Sequence, residues 1–423
     1  MNISPTTQPF TLKKANSFAD ITFSNALLRL IYHAFKEGIW PLNTLFFQIT
    51  DEKEGIYLLR TEYDVLEVIY LNCLFQNYSF SYTFNIKEKY ISISDIDSFF
   101  QQLVIPYLPS QDRRTLAAFI QKVKDSMKTE EKMLHNRILF GNTFNHTTHI
   151  NLWHWITTHQ EKVEDSFILM QFSSLLGNPT HPLTKLRNGF TEEELMAFSP
   201  EYGEIIDVPV LAVSTSLCTV SMQHTTLAVR EWFSQAYPQV YRLWEKKLEA
   251  NSLNPEGFYP IPIHPYQLRY LPILFSEFLE NTLMVEVEGV TIPAKASMST
   301  RTLMPLREKS PYIKLPLDIQ TTSMRRTHSP PRVHAGPVLS ALLEDILQKD
   351  PFLHEVLRIL PEPLGIYLDD SAYYHQSQNP SYFLNVLYRT PPSSLIATDE
   401  WYLPLSAIFG DSPFSGKPLL LDI

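Results

Sequence analysis

The chain has 423 residues, 44% of them hydrophobic and 19% charged, which argues for a folded protein of two or three domains and against a disordered one. Its 35 Lys and Arg against 45 Asp and Glu leave a formal charge of −10, which argues against nucleic-acid binding but allows a local basic site for a small anion. The two cysteines, Cys73 and Cys218, form no CxxC pair; no apolar run reaches membrane-spanning length; and the start lacks a basic-then-apolar leader, so neither a disulfide framework nor a membrane partner is expected, and the location expected is cytoplasmic.

In chain order, Leu28, Ile31 and Phe35 recur at helical spacing, and Gly38 follows as a C-cap. Strands are predicted at 56–59 and 65–71, and again where Tyr78, Phe80, Tyr82 and Phe84 alternate with polar residues. Leu116, Phe119, Ile120, Val123 and Met127 mark an amphipathic helix, so 1–140 reads as one mixed unit. Helices are predicted at 153–176 and 225–250. The later part reads as sheet. Leu283, Val285 and Val287 share one face of a strand. In 313–320, Ile313, Leu315, Leu317 and Ile319 form a buried face, with Lys314, Asp318 and Gln320 opposite and Pro316 placing the strand at an edge or a bulge. Gly336-Pro337 is predicted to open a helix with Leu339, Leu342 and Ile346 facing inward.

Chemistry concentrates in 297–326, which carries Ser297, Ser299, Arg301, Thr302, Lys314, Thr322, Ser323, Arg325 and Arg326. Guanidinium forks, an ammonium and short hydroxyls are the groups that grip phosphate or carboxylate. If 299–302 is extended, Ser299 and Arg301 point the same way. Spacing alone leaves two readings open, a solvated surface or an anion site. The turn-rich loop 177–190 carries His181, Lys185 and Arg187 and is open to the same two readings. His264, flanked by apolar residues, reads as a core histidine. His146, His149 and His154 lack carboxylate or thiolate support, so no metal site is expected from them. P-loop, GxGxxG and GxSxG patterns are absent from the sequence.

Together these stretches resemble the IucA/IucC family of siderophore synthetases. The family pattern runs Gly-His-Pro-x-His-Pro with a following Lys and Gly, then His-Pro-Trp-Gln, Ser-x-Arg-Thr-Leu, a Lys-Leu strand, Thr-Ser-x-x-Arg and Gly-Pro. Here the same order is carried by Gly177 to Gly189, by His264-Pro265-Tyr266-Gln267 and by Ser299-Thr300-Arg301-Thr302-Leu303. Lys314-Leu315, Thr322-Ser323-Met324-Arg325-Arg326 and Gly336-Pro337 follow. Asn178 stands where the family's first His is, and Tyr266 where its Trp is. Leu384 to Arg389 is similar to a later Leu-x-x-x-x-Arg segment.

The resemblance implies an α+β, cupped-hand architecture. A thumb would occupy 1–140, fingers with a central antiparallel sheet 141–395, and the beginning of a palm domain 396–423, the palm being largely missing. It implies a ligase that uses ATP and Mg²⁺ to activate a carboxylate of citrate or a related polycarboxylate and joins it to an amine or alcohol. By position, Arg301, Lys314 and Arg326 would be catalytic cations, and Ser299, Thr302, His181, Lys185 and Ser323 would bind ATP or substrate. A homodimer and a palm on a separate chain are further expectations. The alternative is a truncated, non-catalytic homologue that only binds nucleotide or polycarboxylate.

Overall fold

The computed structural model describes residues 17–37, 95–109, 113–144, 181–223, 228–322, 324–369 and 380–395, with shorter pieces between 13 and 93 and between 167 and 178. The predicted strand at 65–71, residues Gly38 and Phe80, the histidines 146, 149 and 154, Ser323 and the segment 396–423 lie outside these described residues.

The first unit pairs helix α1, Phe18–Lys36, with the longer α2, Leu116–Phe144. Leu27, Leu30, Ile31 and Ala34 form the buried stripe of α1, and Val123, Met133 and Leu134 are buried on α2. Inside this packing Arg29 forks onto Glu130 at 2.6 and 3.1 Å, and Asn25 donates to the same carboxylate at 3.1 Å. Burial, the largest single influence, would push Glu130 up; the charge and hydrogen bonds of Arg29, with Lys185 and Asn25, together outweigh it and hold the carboxyl below its usual range. Two hairpins, Phe47–Asp51 with Gly55–Leu59 and Tyr82–Ile86 with Lys89–Ile93, a short ladder of Lys13–Lys14 with Tyr78–Ser79, and helical turns over 96–107 also belong to the described part of this unit.

The second unit is built on a nine-stranded sheet whose pairings are all antiparallel. Its strands in chain order are β1 Ile205–Ser214, β2 Cys218–Met222, β3 Phe258–Pro262, β4 Met284–Val285, β5 Thr291–Ala296, β6 Thr302–Pro305 and β7 Tyr312–Lys314. The last two, β10 Leu364–Leu368 and β11 Asn385–Arg389, follow a separate hairpin of β8 Leu317–Thr321 and β9 Met324–Arg326. Across the sheet the order is β4-β1-β5-β6-β7-β11-β10-β2, with β3 paired to the far half of β1. The core lies where helices α3, Val229–Ala236, and α4, Pro238–Ala250, cover this sheet. Trp244 is fully buried there and donates its indole N–H to the Leu211 carbonyl at 3.3 Å.

Several predicted elements change on folding. The helix expected over 225–250 is two, because Tyr237 leaves helical backbone (φ −135°, ψ 61°) and Pro238 starts afresh. The strand expected over 313–320 is split: β7 stays in the large sheet, Pro316 cannot donate to its ladder, and the chain bends into the β8–β9 hairpin. Its alternation is nevertheless kept, with Ile313, Leu315, Leu317 and Ile319 all fully buried, each contributing about 1.5–3 kcal/mol. The strand β7 is interior to the sheet, and the register irregularity falls in the hairpin between Leu317 and Gln320.

Gly336-Pro337 does not open a helix. It lies inside α5, Pro330–Lys349, which crosses β10, β11 and β2. A Cβ on Gly336 would meet Glu362 Oε2 at 2.7 Å, and one on Gly365 of β10 would meet the Val333 carbonyl at 2.6 Å, so the two glycines set how closely helix and sheet approach. The face expected to point inward is exposed, with Leu339 at 54% and Leu342 at 53%, because α5 buries Val333, Gly336, Pro337 and Ser340 instead. Among the described residues no helix is long and apolar enough to cross a membrane.

Candidate anion site

The turn that joins β5 to β6 is closed by Ser297 N donating to Thr302 O at 2.9 Å and Thr300 N donating to Ser297 O at 2.8 Å. Thr300 adopts φ +66°, so 299–302 is a tight turn and not the extended segment expected. Ser299 is exposed, and its hydroxyl accepts from Thr302 N at 3.1 Å; Thr302 is buried at the head of β6. Arg301 leaves this turn and donates to the carbonyls of Arg326 and Thr327 at 2.9 and 3.3 Å.

Strand pairing sets the next groups. Lys314 lies opposite Thr302 on one side and Leu387 on the other. Its ammonium is 3.1 Å from Glu362 Oε1, and Arg389, at the end of β11, reaches the same oxygen at 2.6 Å. Glu362 is held from the helix side, since its N–H donates to Ser340 Oγ at 2.8 Å and that hydroxyl donates to the Gly336 carbonyl at 2.9 Å. Arg332, in the first turn of α5, and Arg326, on β9, both lie within electrostatic reach of Arg301. Arg326 donates to the hydroxyls of Thr321 and Thr322, the latter at 3.1 Å.

The result is a concentration of positive charge. Arg326, Arg332 and Arg389 all act on Arg301, and Lys314 and Arg389 share one contacting carboxylate, Glu362. Burial, then the charges of Arg326, Arg332 and Arg389, pulls Arg301 down to about 10. Burial likewise lowers Lys314 against the pull of Glu362. Such a group is under-neutralised, and a bound anion would relieve both the desolvation and the mutual repulsion. The start of α5 adds its dipole but not its donors: Pro330 and Pro331 have no N–H, and the N–H groups of Arg332 and Val333 bond back to Ser329 O.

The loop 181–190 docks onto the neighbouring hairpin. Asn188 and Gln320 exchange backbone hydrogen bonds at 3.0 and 2.8 Å, and the Tyr266 hydroxyl donates to Gly189 O at 3.0 Å. His181, half-buried, accepts from Leu183 N through Nδ1 at 3.0 Å. Burial and the charges of His33, Arg29 and Arg326 lower its pKa, so it presents a neutral ring near the cationic group. Lys185 is placed differently. It is 1% exposed, donates to the Ser174 carbonyl and lies 2.9 Å from Glu201 Oε1, which also takes Arg187 at 3.0 Å. The backbone N–H of Lys185 donates to Ser126 Oγ on α2 at 3.2 Å, so this residue ties the loop to the first unit. His264 is fully buried, accepts from Tyr266 N at 3.1 Å and is pushed down to about 3 by burial, as a core histidine would be.

Folding therefore brings Arg301, Lys314 and Arg326 into one neighbourhood with Ser299, Thr302 and His181 at its margins, and leaves Lys185 in the interior. Sequence reasoning missed Glu362, Arg332 and His328, and gave Arg389 no role although it ends a quoted segment. Glu362 is a single acid between Pro361 and Pro363, a pattern with no site signature. Among the described residues no group of three or more His, Cys, Asp or Glu is arranged to hold a metal, and Glu362 is engaged by two cations. These residues do not fit a Mg²⁺ site. The cations do fit a polyanion such as a triphosphate.

A family model described as IucA / IucC family matches residues 166–410. Staphyloferrin A synthase of Staphylococcus aureus is 30% identical over 253 residues, covering 58% of this chain and 41% of the relative. D-ornithine–citrate ligase of the same organism is 28% identical over 268 residues, 61% of this chain and 39% of the relative. Both spans are about two-fifths of the relative's own length. Among solved structures, ATP-bound aerobactin synthetase IucA of Klebsiella pneumoniae superposes with a TM-score of 0.61 at 17% identity, over 96% of this chain and 67% of that one, which is a likeness of fold.

Proposed function

This chain belongs to the IucA / IucC family, and from that premise we propose that it serves an ATP-dependent siderophore synthetase acting on citrate or a related polycarboxylate. The observation that carries the reading is the cluster of cations about Arg301 and Glu362, where β6, β7, β11 and the start of α5 meet. The names of the relatives, a staphyloferrin synthase and a D-ornithine–citrate ligase, support citrate as the acid and an amine as the acceptor.

In this reading a carboxylate oxygen attacks the α-phosphorus of ATP, the bond to the bridging oxygen breaks, and pyrophosphate leaves with the electron pair. The amine or hydroxyl then attacks the acyl carbon, AMP leaves, and the nucleophile's proton passes to solvent. Two anions have to be brought together, so the chain's task is positioning and charge stabilisation. Arg301 and Lys314 turn from carbonyls and Glu362 onto phosphate and carboxylate oxygens. Arg326 guards the side facing loop 181–190, and Ser299, Thr302 and His181 supply neutral contacts. We assign Lys185 to holding that loop in place, through Glu201 and α2. The cupped-hand reading, with a thumb at 1–140, fingers at 141–395 and a palm beginning at 396–423, belongs to the same proposal. So do pairing of two copies and completion of the site by a palm segment supplied outside this chain.

The test is citrate-dependent exchange of labelled pyrophosphate into ATP, with a palm segment of a relative supplied alongside. Exchange that falls about a hundredfold or more in Arg301→Ala and Lys314→Ala supports the reading. Calorimetric binding of ATP or citrate without exchange would instead identify a non-catalytic binding homologue. No binding and no exchange would remove the site.

A further inference from the structure

His328 precedes the α5 N-cap, Ser329, and is 3% exposed. Its tautomer follows from its neighbour. Asn385 donates its amide N–H groups to the carbonyls of His328 and Ser381 at 3.1 and 2.6 Å, which fixes the amide and turns Oδ1 toward His328 Nδ1 at 3.3 Å. Oδ1 can only accept, so Nδ1 carries the proton and Nε2 is a bare lone pair. Nε2 is buried and has no hydrogen-bond partner in the structure. Burial and the charges of Arg301, Lys314 and Arg332 hold the ring neutral, with a pKa pushed down to about 2.

A buried acceptor needs a donor. Arg301 spends its described bonds on two carbonyls and Lys314 on Glu362. Carboxylate and phosphate oxygens carry no proton at neutral pH, so the groups that the cations would bind cannot serve Nε2. An ammonium has protons but would be repelled by the same cations. A hydroxyl meets both requirements, since it donates and bears no charge.

We propose that His328 is a specificity-determining residue that accepts a hydrogen bond from a hydroxyl on the polycarboxylate, so that the site selects hydroxy acids over acids lacking the hydroxyl. This rests on the anion-site reading above. The hydroxyl reaches Nε2 as Arg301 and Lys314 turn from their present partners onto the incoming carboxylates.

Citrate and tricarballylate share three carboxylates and differ by the one hydroxyl, so their calorimetric dissociation constants isolate the contact. Wild-type chain should prefer citrate by at least about tenfold. His328→Phe should bind both acids with the wild-type affinity for tricarballylate, and His328→Gln, whose amide oxygen still accepts, should restore part of the preference. A thermal melt of each variant confirms folding, and if the Phe variant unfolds, the Gln variant and the wild-type ratio decide. Equal binding of the two acids by wild type, or a preference that survives in His328→Phe, overturns the assignment while leaving the anion site standing. A preference that appears only between ATP and its 2′,3′-dideoxy form places the hydroxyl on ribose and overturns it too. Failure of both acids to bind wild type removes the site itself, and this assignment with it.

Discussion

Glu201 is the residue on which the interior of the 181–190 loop turns. Burial alone would push its carboxyl up; the charges of Lys185 and Arg187 outweigh it and hold the carboxyl below its usual range. Burial also pulls Lys185 down, despite Glu201. The proton stays on the lysine because Glu201 faces two cations, whereas Lys185 shares its carboxylate with Arg187. A carboxylate with a lowered folded pKa stabilises the protein above its unfolded value of 4.5, and that stabilisation fades as pH falls through the lower folded value. The wild type should therefore lose stability as pH falls from about 4.5 through that lower value, in urea melts at stepped pH. Glu201→Gln should flatten this slope and, near neutral pH, cost about 3–5 kcal/mol, because it leaves two buried cations without a counter-charge. If Glu201→Gln were as stable as wild type at neutral pH, the loop would not depend on this triad.

At the scale of elements, the contact of α5 with the sheet decides where Glu362, Arg332 and His328 stand. It is set by two glycines whose added methyl groups would meet different obstacles. At Gly365 the nearest atom is the Val333 backbone carbonyl, at 2.6 Å, which cannot move without shifting the helix. At Gly336 the nearest atoms are side-chain tips, Glu362 Oε2 at 2.7 Å and Leu387 Cδ1 at 2.8 Å, which can give way. Gly365→Ala should therefore destabilise by more than Gly336→Ala, with both in the range of about 1–3 kcal/mol by chemical denaturation. Gly336→Ala should show its effect in nucleotide affinity as well, since it displaces the carboxylate that pairs Lys314 and Arg389. Equal losses in the two variants would mean that α5 is free to slide over the sheet. The same close approach explains the exposed leucines of α5: the helix packs through its small residues, so its large apolar ones are left outside.

For the whole molecule, the charge balance and the site pull in opposite directions. A chain of net charge −10 repels polyanions at long range, and only the local cations bind them. Between about 0.1 and 1 M salt the screening length falls from about 10 to about 3 Å. The affinity for ATP should then drop several-fold, because the partly exposed cations Arg326, Arg332 and Arg389 are screened while Arg301 and Lys314, more deeply set, keep their contacts. Titrations at stepped ionic strength check this, and an affinity independent of salt would place the nucleotide away from the cationic group.

The sequence by itself determined which residues carry charge, the alternating face of 313–319, the helical character of α1, and the ordered motifs that mark family membership. Those are local properties, written in periodicity and spacing. Only the tertiary structure decided that Lys185 turns inward to Glu201 while Lys314 stays beside the other cations, because both are lone lysines in apolar surroundings and differ only in which carboxylate the fold brings to them. It also decided that Glu362, between two prolines and 48 residues from Lys314, supplies the shared counter-charge. The face that α5 turns to the sheet was settled in the same way, by the room that Gly336 and Gly365 leave and not by the hydrophobicity of the helix. Long-range pairing of this kind leaves no periodic trace along the chain, since each partner is selected by distance in space and not by separation in sequence.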